Sequence, residues 1–124
     1  MNRPLPRILL LVLSTWLGLV ASAAAFAHAG LVKAVPAAGS QVSGAPRIEL
    51  TFNEALVPRA VRVTVGKVGA PAKTHPVAVE VVGGNKVVRA TPRHPLGPGE
   101  YEVEWRAAGA DQHPMSGRYR FTIR

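Results

Sequence analysis

A chain of 124 residues without a single cysteine can hold no disulfide, thiolate zinc site or iron–sulfur cluster, and it offers no thiol nucleophile. Its formal charge of +8 comes from basic residues scattered singly, without clustering or interleaved aromatics, which argues against nucleic-acid binding.

The first element is a leader. Arg3 and Arg7 give a short positive region, and Ile8 to Ala21 form an apolar run broken only by Ser14, Thr15 and Gly18. Ala25-Phe26-Ala27 then supplies a small-x-small cleavage signal. This pattern predicts a secretory signal peptide over 1–27 and one domain over 28–124. There is no twin arginine, so Sec export is the expectation, with an uncleaved anchor as the alternative. Removing 27 residues leaves 97 and a charge of about +6, with 13 Lys and Arg against 7 Asp and Glu. Such a domain must be stabilised by its core alone, or by its core and a bound metal. Cleavage after Ala27 leaves His28 with a free α-amine. That amine and the imidazole Nδ1 could close a six-membered chelate ring on one metal ion. By itself, the junction reads first as carrying an incidental histidine.

Beyond the leader, the pattern has period two, the signature of half-buried strands. His28 to Val35 predicts a first strand, ended by Pro36 and an Ala37-Ala38-Gly39-Ser40 turn. Ile48, Leu50 and Phe52 alternate with Arg47, Glu49 and Thr51, and Val61, Val63 and Val65 with Arg62 and Thr64. Val77, Val79 and Val81 lead into a Gly83-Gly84-Asn85 turn, from which Lys86 to Thr91 pairs back as a hairpin. After a breaker rich in Pro and Gly, Tyr101, Val103 and Trp105 alternate with glutamates, and Tyr119, Phe121 and Ile123 alternate with arginines. Antiparallel pairing of these last two strands would set Glu102 and Glu104 against Arg118 and Arg120. No window gives an amphipathic helix. About seven strands in under a hundred residues predict an all-β, two-sheet sandwich of the Ig-like kind. Tyr101 suits a tyrosine corner and Trp105 the space between the sheets.

Between the last two strands, Ala107 to Ser116 reads as a loop containing Asp111-Gln112-His113-Pro114-Met115-Ser116-Gly117. An Asp two residues before a His can orient an imidazole or place an oxygen near a metal. Pro114 fixes one φ angle and would stiffen the loop. Taken alone, a D-x-H loop is a weak signal and reads first as a solvated turn.

Several of these segments together resemble the CopC family of periplasmic copper-binding proteins. The resemblance rests on a leader ending at His28-Ala29-Gly30-Leu31, the Pro36-Ala37-Ala38-Gly39 turn, Leu50-Thr51-Phe52-Asn53-Glu54, the Pro98 to Trp105 strand, and the D-x-H-P-x-S-G loop. It implies a periplasmic Greek-key β-sandwich holding one Cu(II) at one end. Carried over, His28 would give its α-amine and Nδ1, and His113 a third nitrogen. Asp111 would be a weak ligand or an orienting partner, and Glu54 a carboxylate near the site. Where the family usually has Gly between Asp and His, this chain has Gln112, which adopts positive φ less freely.

Three nitrogens and an oxygen suit tetragonal Cu(II); Zn(II) would bind the same groups more weakly. Binding should weaken on acidification, since amine and imidazole bind metal only when deprotonated. Some family members carry a second, methionine-rich Cu(I) site. Beyond the leader this chain has only Met115, so that site is expected to be absent. His75 and His94, each before a proline, read as solvated loop residues. The expected function is a monomeric, non-enzymatic copper carrier or buffer. Its partner would be a CopD-type membrane copper transporter, and its role copper tolerance or delivery. Two alternatives remain: a copper oxidase or oxygenase using the same His chelate, and a metal-free sandwich interaction module. Ser116 has no base arranged around it in the sequence, which disfavours hydrolysis.

Overall fold

The computed structural model describes residues 30–70 and 73–124; the expected leader over 1–27 and His28 lie outside the described residues. Among the described residues, nine strands follow in chain order: β1 (Leu31–Val35), β2 (Gln41–Val42), β3 (Ile48–Phe52), β4 (Arg62–Lys67), β5 (Thr74–His75), β6 (Val77–Val82), β7 (Val87–Pro92), β8 (Gly99–Ala108) and β9 (Pro114–Ile123). One sheet runs β1-β3-β7-β6 and the other β2-β9-β8-β4-β5. The seven longer strands correspond to those expected from the sequence, with β1 beginning at Leu31 and the first two residues of the expected His28–Val35 strand lying outside the described residues. The additions, β2 and β5, have two residues each, too few for a periodic signal.

Alternation decides what is buried. Ile48, Leu50 and Phe52 point into the space between the sheets from β3, and Tyr101, Val103 and Trp105 from β8. The Trp105 ring meets Phe52 edge-on at 5.2 Å, tying one sheet to the other. Such a contact is worth about 0.5–1.5 kcal/mol beyond burial. At the far end, the Tyr101 hydroxyl donates to the Gly97 carbonyl at 2.7 Å, forming the predicted tyrosine corner. Its ring stacks on Phe121. Tyr119 also faces inward from β9; burial pushes its phenol up to about 12, so it stays neutral at physiological pH.

The pairing of β8 with β9 is antiparallel and sets Glu102 opposite Arg120 and Glu104 opposite Arg118. Arg120 Nε donates to Glu102 at 2.9 Å. Hydrogen bonding to Arg120 holds the Glu102 carboxyl below its ordinary range. The two strands also run further than expected. Ala107 pairs with Met115 and Ala108 with Pro114, so the ten-residue loop expected from the sequence shrinks to residues 109–113. Pro114 can open a strand because that position needs no N–H. Met115, expected within that loop, is thereby a strand residue packed against the core. His75 departs from expectation too: it is half-buried on β5, its ring edge-on to Tyr101 at 5.6 Å. His94 is exposed, as expected.

Gly117 sits opposite Trp105, and a Cβ placed there would lie 2.7 Å from the indole ring. Only glycine leaves room for that ring in its present position. Gly117→Ala should therefore force Trp105 aside and destabilise the domain by about 1–3 kcal/mol. Chemical denaturation checks this; an unchanged midpoint would show that the ring relaxes freely.

Candidate metal centre

One end of the sandwich gathers the segments that the sequence singled out. The connection after β3 crosses this end, where Leu56 forms a β-bridge with Gly109 and the Val57 N–H donates to the Ala108 carbonyl at 2.8 Å. Those bonds dock the β3 connection against the β8–β9 loop. Asn53, the first residue after β3, grips the start of the described chain. Its Oδ1 accepts from the Gly30 N–H at 2.6 Å, and its own N–H donates to the Gly30 carbonyl at 3.0 Å. Gly30 is two residues beyond His28 in the sequence. The chain thus enters the fold at the end that carries the β8–β9 loop.

Within that loop, Asp111 makes two contacts with His113. Oδ1 accepts from the His113 N–H at 3.2 Å, and Oδ2 lies 3.1 Å from Nδ1. A carboxylate only accepts, so Nδ1 carries the proton in this contact. In the neutral imidazole this leaves the lone pair on Nε2, the arrangement found where a carboxylate orients a metal-binding imidazole. The His113 side chain is 72% exposed, open to an arriving ion. Gln112, between them, has φ of 61°, so the loop keeps the left-handed conformation in which glycine would be at ease.

Glu54 is half-buried beside Asn53. Among the described residues, no three His, Asp or Glu side chains gather as a metal cluster, so Glu54 is not drawn into one with Asp111 and His113. His28 lies outside the described residues. Sequence reasoning missed Asn53, because a lone Asn at a strand end reads as ordinary turn chemistry. The only available signal was its place between Phe52 and Glu54.

Fold and site together define a class: a small Greek-key β-sandwich with an Asp–His loop at the end where the chain enters. The CopC domain model matches residues 31–124. Copper resistance protein C of Pseudomonas syringae pv. tomato is 38% identical over 112 residues, covering 86% of this chain and 89% of that protein. Copper resistance protein C of Escherichia coli is 38% identical over 106 residues, covering 81% and 84%. The crystal structure of PcoC, a methionine-rich copper resistance protein from Escherichia coli, superposes with a TM-score of 0.72 at 33% identity, covering 79% of this chain and all of that one. The chain belongs to the CopC family.

The left-handed backbone at Gln112 costs about 1–2 kcal/mol for an L-residue. Glycine would remove that strain but bring about 0.5–1 kcal/mol of extra unfolded-state entropy. Gln112→Gly should therefore stabilise the domain by about 0.5–1 kcal/mol and raise Tm by roughly 2–8 °C. A lower Tm in a thermal melt would contradict this reading of the loop.

Proposed function

We propose that this protein is an exported, periplasmic, non-enzymatic copper carrier that holds one Cu(II) ion as cargo. His28, exposed as the N-terminus by leader cleavage, supplies its α-amine and Nδ1, and His113 supplies Nε2. Asp111 acts on the ion through His113, holding the imidazole in the tautomer that presents Nε2. Glu54, on the connection that docks against the β8–β9 loop, is a carboxylate at the same end of the sandwich rather than a ligand in this reading. The observation that carries this reading is the Asp111–His113 pair at the sandwich end to which Asn53 ties Gly30.

The chemistry of the donors supports Cu(II) over its competitors. Nitrogens in a plane suit a tetragonal ion, and Cu(II) leads the divalent first-row affinity order. A single methionine beyond the leader, itself packed against the core, is a poor basis for a thioether Cu(I) site. Family membership supports a role in copper resistance, with handover to a CopD-type membrane transporter as the simplest use of the cargo. The exposed position of His113 suits such handover.

The test is to purify the exported protein, sequence its N-terminus and titrate it with Cu(II) while recording EPR. The expected result is a chain starting at His28 with one nitrogen-rich tetragonal site. His28→Ala and His113→Ala should each weaken binding by more than about 100-fold, and Asp111→Asn by roughly 10- to 100-fold. A mature chain starting elsewhere, or copper binding indifferent to His113, would overturn the proposal.

A further inference from the structure

The two sheets part along one side of the sandwich. The chain leaves β5, passes Pro76 and enters β6 in the other sheet, opening a groove of about 600 Å³ between β4 and β6. Val61 and Val63 line one wall and Val77, Val79 and Val81 the other. Val79 is 40% exposed, one of the few large apolar side chains left so open among the described residues.

Both walls are open strand edges. β4 pairs with β5 only at Val65 and Gly66, so among the described residues no strand lies beside Arg62 to Thr64 on that side. Among the described residues, β6 is the last strand of its sheet. Such edges are templates for an added strand. The groove is also one-signed: among the described residues, the charged ones that line it are Arg62 and Arg93.

A third feature falls at the same register. Arg62 lies directly opposite Arg106 on the outer face of the sheet. Like charges so placed oppose folding. Further along that face the arginines are matched, Arg118 by Glu104 and Arg120 by Glu100 and Glu102. Among the described residues, neither Arg62 nor Arg106 has a carboxylate partner. The Arg62 guanidinium instead donates to the Val61 and Arg59 carbonyls at 2.7 and 3.0 Å.

We propose that this groove docks an extended segment of a partner protein, apolar at alternate positions and acidic between them, as an added strand on β4. Strand alternation accounts for the match. Apolar side chains would enter over Val61, Val63 and Val79, while the intervening carboxylate would lie beside Arg62 on the outer face and relieve its repulsion with Arg106. A backbone N–H of the segment would take over the Val61 carbonyl, freeing the guanidinium for that carboxylate. A second copy of this chain fits less well, because it would bring Arg62 and Arg93 against cations of a chain that is already strongly basic.

The probe is a blocked peptide of about seven residues alternating glutamate and valine, titrated into the mature protein and followed by amide NMR. Shifts should concentrate at residues 61–64 and 77–81. The lysine–valine counterpart, Arg62→Glu and Val79→Glu should each weaken binding at least roughly tenfold, and Arg62→Lys much less. Cu(II) titration should be unchanged in these variants, which separates this surface from the metal site. Equal binding of the lysine peptide, shifts elsewhere, or no binding at millimolar peptide would overturn the proposal. So would concentration-dependent self-association through β6.

Discussion

Two hydrogen bonds between Gly30 and Asn53 fix where the chain enters the sandwich, and the candidate site depends on that entry point. Each exposed bond of this kind contributes only about 0.5–1.5 kcal/mol, so their importance is positional. They hold the residue two places beyond His28 at the sandwich end where Asp111 and His113 meet. The β-bridge of Leu56 to Gly109 does the complementary job, docking the β3 connection against the loop. Both devices are backbone bonds, or a short side chain bonding to backbone.

What keeps this end rigid lies deeper. Trp105 fills the space between the sheets against Phe52, and Gly117 gives its ring room from the facing strand. The Asp-x-His-Pro-x-Ser-Gly segment thus combines two jobs that its sequence does not distinguish. Asp111 and His113 present a nitrogen to solvent, while Gly117 serves core packing. Its proline and methionine belong to the strand that carries the segment into the sheet.

Much of this was legible in the sequence because each long strand buries one face. Alternation in Ile48–Phe52, Val61–Val65, Tyr101–Trp105 and Tyr119–Ile123 named the core directly, and the opposed glutamates and arginines gave the register of β8 and β9. Tyr101 announced its corner through the Pro98-Gly99 step before it. Three things stayed hidden for physical reasons. The edge strands β2 and β5 are too short to show a period. Ala107 and Ala108 carry no strand preference, so the hairpin looked longer-looped than it is. His75 sits beside a proline in a polar stretch, and nothing local signals the Tyr101 ring that covers it. Of the site, the Asp111-x-His113 spacing suggested an orienting contact but only the family resemblance marked it as a site, while the Asn53 clamp joins residues 23 positions apart and leaves no local trace.

The central claim is that copper sits between the chain's entry point and the Asp111–His113 loop. Adding Cu(II) in steps to the mature, isotopically labelled protein and following paramagnetic broadening of its amide resonances tests that most directly. The account predicts that Gly30, Asn53 and residues 109–116 broaden first and together, saturating at one equivalent, while His75 and His94 stay sharp. Broadening centred on His75 or His94, or spread evenly over the surface, would contradict it.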